Sequence, residues 1–177
     1  MTTPAQDSRF RWTPSGELIR SSNLGRFMAR HGIESYDQLV RQAADDPEWF
    51  WHGINVALRI EWFQPYKRVM DDSGGNAWTK WFVNGKLNVA HNCVDRHVKA
   101  GRGDHPAVLW EGEDGLFRRW TYSDLAAETN QLAGALVKLG VQPGDRVGIF
   151  LPMMPEAVAA FMAIAKIGAV SIPIFSG

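Results

Sequence analysis

Val147-Gly-Ile-Phe-Leu151, then Pro155-Glu156 opening an apolar stretch that Gly168 closes, then Val170-Ser-Ile-Pro-Ile-Phe175: this run decides the fold class. The two outer segments are short and almost continuously apolar, the pattern of strands covered on both faces. Between them the sequence reads as a helix. Proline suits a first helical position, the adjacent glutamate suits the positive end of the helix dipole, and glycine supplies the left-handed residue that ends it. Two apolar strands joined by a helix of about a dozen residues are expected to pair in parallel, with a right-handed crossover and helices covering the sheet.

Working upstream, Pro143-Gly144 is a turn and Gly140 a helix stop. Thr121-Tyr-Ser-Asp124 spells a capping box for a helix whose inward face is Leu125, Thr129, Leu132, Ala133, Leu136 and Val137. Before it, Ala107-Val-Leu-Trp-Glu111 and Phe117-Arg-Arg-Trp-Thr121 flank Gly112-Glu-Asp-Gly115, a hairpin with its turn glycines in place. The expected fold class is α/β: a helical, Trp-rich N-terminal cap, a β-hairpin, and the first βαβ units of a larger, incomplete sheet domain.

The cap lies before a boundary at about residue 100, where Ala100-Gly-Arg-Gly-Asp-His-Pro106 gathers turn formers. Six of the eight tryptophans precede it. The chain opens with a polar stretch to about Arg20. Ser35-Tyr-Asp-Gln38 then forms a capping box for a helix with Tyr36, Leu39, Val40 and Ala43 on its apolar face. A second helix follows, with Asp46 as N-cap, Pro47 in the first position, and Trp49, Phe50, Ile54, Ala57 and Leu58 on one face. Residues 71–76 form a loop, and residues 78–87 show no readable alternation.

Composition narrows the function. In 177 residues, 19 Lys and Arg balance 19 Asp and Glu, which argues against a general phosphate-backbone binder. A single cysteine, Cys93, forms no internal disulfide and suits a reducing compartment. No window is long and apolar enough for a signal peptide or a membrane span. Arg9, Arg11 and Arg20 hint at a transit peptide, but Asp7 and Glu17 are the wrong company. The reading is a cytoplasmic protein.

Chemistry is sparse. There is no P-loop, no dinucleotide-binding G-x-G-x-x-G after a strand, no H-E-x-x-H and no G-x-S-x-G. The densest reactive group is His91-Asn-Cys-Val-Asp-Arg-His97. As a metal site it offers His91, Cys93, Asp95 and His97, yet structural zinc wants two separated ligand pairs. Cys93 and His97 have the spacing of a nucleophile and base on one helix, but no third group orients them. The preferred reading is a helix start capped by Asn92 or Asp95 with the cysteine packed inside. Arg102-Gly-Asp104 is a chance tripeptide, the Trp and Phe rings are core rather than a stacking platform, and Glu113, Asp114, Arg118 and Arg119 decorate a solvated hairpin.

The chain also ends at Gly177 directly after a strand, where an open α/β sheet would place ligand-binding loops. The expectation is an N-terminal piece of a longer protein.

An ordered series of motifs resembles a known family. Asp46-Pro-Glu-Trp-Phe-Trp51, Trp81-Phe-Val-Asn-Gly-Lys-Leu-Asn88, Asn92-Cys-Val-Asp-Arg-His97 and Ala107-Val-Leu-Trp-Glu111 resemble the N-terminal region of AMP-forming acetyl-CoA synthetases. Leu139-Gly-Val-Gln-Pro-Gly-Asp-Arg-Val147, Leu151-Pro-Met-Met-Pro-Glu156 and Ile167-Gly-Ala-Val170 resemble the first βαβ units of the acyl-adenylate-forming superfamily. The resemblance covers residues 35–177. It divides the chain into an N-terminal extension (1–34), the acetyl-CoA synthetase-type helical region (35–100) and the start of the AMP-binding large domain (101–177).

It implies a ligase that uses ATP, Mg²⁺ and CoA to activate a short carboxylic acid through an acyl-adenylate. The phosphate loop, ribose-binding Asp, acyl pocket and catalytic Lys of the family have no counterpart here, so no catalytic residue or metal ligand is assigned, none of these ligands is expected on this chain, and it is expected to be inactive alone. Phe175, Ser176 and Gly177 match the family's Phe-Gly-Gly beside the path of the CoA pantetheine arm, with serine replacing the middle glycine. That departure, with Ser171-Ile-Pro-Ile174, leaves acetate, propionate, acetoacetate and short branched or hydroxy acids open. The residues present are expected to act structurally, and truncation of a buried Trp81 to cost roughly 3–5 kcal/mol through the cavity left. Two other readings remain: a stand-alone binding or regulatory module derived from such an enzyme, and a scaffold subunit that pairs through its sheet edge.

Overall fold

The computed structural model describes residues 12–174, and the chain divides into two compact units. The first comprises residues up to Ile60 together with Arg68–Val83; the second comprises Glu61–Lys67 and everything from Asn84 onward. The boundary is therefore crossed three times.

The first unit begins with two short helices that the sequence reading passed over, α1 (Gly16–Ser21) and α2 (Asn23–Arg30). A single residue joins them. Ser22 Oγ donates to the Ile19 carbonyl at 2.7 Å and accepts from Gly25 N at 2.9 Å, so one hydroxyl satisfies the end of α1 and the start of α2. The tight turn leaves no room at Gly25, where a Cβ would stand 1.9 Å from the Ile19 carbonyl oxygen.

Helices α3 (Tyr36–Asp45) and α4 (Pro47–Ala57) start as expected: Ser35 accepts from Gln38 N, Asp46 accepts from Trp49 N, and Pro47 takes the first position. Gln38 reaches back to Glu34 N rather than to Ser35, a variant of the capping box. Phe27, Ile33 and Leu39 form the buried centre, with Met28, Trp49, Phe50, Ile54 and Ala57 packed around them. Tyr36, Val40 and Leu58 are exposed instead of lining this core. Of the face expected for α3, Leu39 is buried and Ala43 half-buried. Strands β1 (Arg68–Asp71) and β2 (Lys80–Val83) pair antiparallel, Met70 opposite Trp81. Trp81 is 44% exposed, so the cavity expected from its truncation does not arise.

In the second unit a helical segment over residues 89–102 widens to π-type hydrogen bonding at His91–Asp95 and Val98–Arg102. Strands β3 (Pro106–Glu111) and β4 (Phe117–Thr121) form the expected hairpin, closed by Gly115 at φ 78°. Helix α5 (Tyr122–Lys138) opens with the full Thr121–Asp124 capping box and stops before Gly140 at φ 91°. Strands β5 (Arg146–Ile149) and β6 (Val170–Pro173) flank helix α6 (Pro155–Lys166) and pair in parallel, Arg146 against Val170 through Ile149 against Pro173. Val94, Leu125 and Ala159 are the buried centre of this unit. Among the described residues each of the three sheets has two strands, and the hairpin does not join the parallel pair.

Candidate functional site at the ends of the parallel strands

Because β5 and β6 run in the same direction, their carboxyl ends meet at one edge, the place where open α/β sheets bind ligands. A cleft of about 450 Å³ lies there, lined by Ile149, Leu151, Met153, Ala157, Phe161, Pro173 and Ile174. The loop between β5 and α6 forms its rim and is held by the hairpin. Trp110 Nε1 donates to the Met153 carbonyl at 2.6 Å. Arg118 donates two hydrogen bonds to the Glu156 carboxylate, one of them at 3.1 Å, with its guanidinium 5.5 Å from the Trp120 ring and 5.8 Å from Trp110. The hydrogen bond from Arg118 holds the Glu156 carboxyl below its usual range. Arg118 is thus no solvated hairpin charge; it ties β4 to the first turn of α6. Sequence reading missed this because the partners lie 38 residues apart.

Among the described residues no ionisable side chain lines the cleft, so none of them can move a proton there or face a phosphate with a cation. Among the described residues, no three His, Cys, Asp or Glu side chains gather as metal ligands would. The described lining of this cleft therefore does not fit nucleotide phosphates or Mg²⁺. Apolar walls suit a neutral, flexible arm. Phe175, Ser176 and Gly177, the site expected beside the CoA path, lie outside the described residues.

The His91–His97 group separates into different contacts. His91 Nε2 is 2.6 Å from Glu61 Oε2, and this hydrogen bond holds the Glu61 carboxyl below its ordinary value. Asp95 accepts two hydrogen bonds from Lys166 Nζ at 2.8 and 2.9 Å. His97 is hydrogen-bonded to Arg102, with its ring 4.6 Å from that of Tyr122. Burial first, and then the charges of Arg102 and Arg96, push its pKa below 6.5. Cys93 is exposed rather than packed. Asn92 and Asp95 sit inside the helical segment, and Asn88 is the residue whose side chain accepts from His91 N. Asn88 also donates to the Ala165 and Lys166 carbonyls, capping the end of α6. The group is a structural hub that joins the helical segment to α6.

The acetyl-coenzyme A synthetase N-terminus profile matches residues 36–93, and the AMP-binding enzyme profile continues at 94 and runs to 177. The chain matches the N-terminal region of the adenylate-forming, AMP-binding enzymes. The acetyl-coenzyme A synthetase of Mycobacterium tuberculosis (strain ATCC 25618 / H37Rv) is 50% identical to this chain over 141 residues, 79% of this chain and 21% of its own length. That of Deinococcus radiodurans is 44% identical over 164 residues, 93% of this chain and 24% of its own length. The acetoacetyl-CoA synthetase from Streptomyces lividans superimposes with a TM-score of 0.81 at 30% identity, covering 93% of this chain and 26% of that one. The chain thus spans 21–26% of the length of these relatives and matches their N-terminal portion.

Proposed function

We propose that these residues are the N-terminal part of an AMP-forming acid–thiol ligase acting on a short carboxylic acid. In the reaction a carboxylate oxygen attacks the α-phosphorus of ATP and pyrophosphate leaves; the CoA sulfur then attacks the acyl carbon and AMP leaves. Mg²⁺ would offset phosphate charge in the first step. The observation that carries this reading is the abutment of the two family matches in one order along the chain, 36–93 and then 94–177.

Residues 1–34 serve as an extension, 35–100 as the N-terminal region and 101–177 as the opening of the AMP-binding domain. Within that plan the apolar cleft beyond β5 and β6 borders the pantetheine arm of CoA, as do Phe175, Ser176 and Gly177, which come next in the sequence, and the remaining residues scaffold the large domain. No helix of the described residues is long and apolar enough to cross a membrane.

The test is to follow the reading frame past the Gly177 codon, express its product, and assay pyrophosphate release and thioester formation with acetate, propionate and acetoacetate. Acid-dependent thioester formation by that product, with none by the 177 residues alone, is expected. A stop codon at 178 together with CoA binding but no turnover would replace the ligase with a binding module.

A further inference from the structure

Residues Glu61–Lys67 belong to the second unit, although the chain on both sides of them belongs to the first. What holds this strap is specific. Glu61 N donates to Asn92 Oδ1 at 2.9 Å and Asn92 Nδ2 donates to the Glu61 carbonyl at 2.9 Å, so one buried side chain satisfies both backbone groups of one residue, as a neighbouring strand would. His91 holds the Glu61 carboxylate, and the Phe63 ring lies 5.2 Å from the His91 ring. Further along, Phe63 N and Gln64 N donate to the Lys86 carbonyl, Lys86 N donates back to Gln64, and Gln64 Nε2 donates to the Asn84 carbonyl.

The backbone marks the same places. Arg59, Phe82 and Asn84 are the three non-glycine residues with left-handed φ among the described residues, at 51°, 50° and 63°. Arg59 stands two residues before the strap, and Phe82 and Asn84 flank the third crossing. Such conformations persist only where surrounding contacts hold them.

We propose that Asn92, backed by His91, is the catch of a docking strap: residues 61–67 seat on and leave the second unit as one element. The strap is a conformational device that opens without unfolding the α5–α6 core. It needs no part of the ligase reading, so either can fail alone.

Amide hydrogen exchange by NMR on the full 177-residue chain tests it. Asn92→Asp keeps the acceptor for Glu61 N but loses the donor to its carbonyl. The amides of Glu61, Phe63, Gln64 and Lys86 are expected to exchange at least tenfold faster, in concert, while Val170 and Ile174 in the β5–β6 ladder hold their rates. Equal acceleration of all six amides would overturn the proposal, because Asn92 would then be an ordinary core residue, as would acceleration of Glu61 alone. If Asn92→Asp fails to fold, His91→Gln serves instead, with a smaller concerted rise in the same four amides expected. Unchanged rates in that variant would overturn it.

Discussion

Gly25 shows how one residue can oppose its element's intrinsic preference. Alanine is the better helix former by about 1 kcal/mol, and Gly25 sits inside α2. Yet an added methyl would stand 1.9 Å from the Ile19 carbonyl, backbone that already accepts from Ser22. Gly25→Ala is therefore expected to destabilise the first unit by about 1–3 kcal/mol, as overpacking does, measured by urea denaturation. The same scale explains why α1 and α2 were invisible in the sequence. A helix of six residues offers less than two turns of periodicity, and Ser22 reads as a break rather than as the shared cap it is.

At the scale of elements, most of what depends on near neighbours was legible, the short α1–α2 pair excepted, and what depends on distant ones was not. The caps Ser35, Asp46 and Thr121, the hairpin turn at Gly115 and the parallel pairing of β5 with β6 all follow from residues a few positions apart or from a helix-length connection. The bracing of the cleft rim by Trp110 and Arg118, and the hub through which Asn88 and Asp95 meet α6, span from 38 to 78 residues and leave no periodic trace. β1 and β2 escaped notice because four residues give only two alternations and Trp81 faces outward. A test belongs here: Thr121→Ala removes the hydroxyl that accepts from Asp124 N and starts α5. A loss of about 1 kcal/mol is expected in the unfolding free energy of the second unit, with Thr121→Ser restoring most of it.

For the whole molecule, acid is the direction of weakness. Glu61 and Glu156 hold pKa values below their ordinary range through hydrogen bonds to His91 and Arg118, and His97 is held below 6.5 by burial. In each case the unfolded chain binds protons more readily than the folded one, so stability rises with pH. The contribution of His97 is complete above about 6.5 and is lost as pH falls through its depressed folded value; the carboxylates give way at lower pH. Melting temperatures recorded between pH 7.5 and 3 are expected to fall in two stages, and His97→Gln to flatten the first while leaving the second. A first stage that survives this substitution would assign it to another group.

The threefold crossing between units also orders events while the chain is being synthesised, since domains form as their residues emerge from the ribosome. Helices α1 to α4 can assemble early, but β1 must wait for β2, and residues 61–67 have nothing to sit on until 84–92 have appeared. Two unfinished pieces of architecture are thus completed within about ten residues of one another. A pause in translation after residues 61–67 have left the exit tunnel and before residues 84–92 have done so would leave an aromatic strap unseated, and a silent codon change that lengthens that pause could alter the yield of folded protein without altering a single side chain.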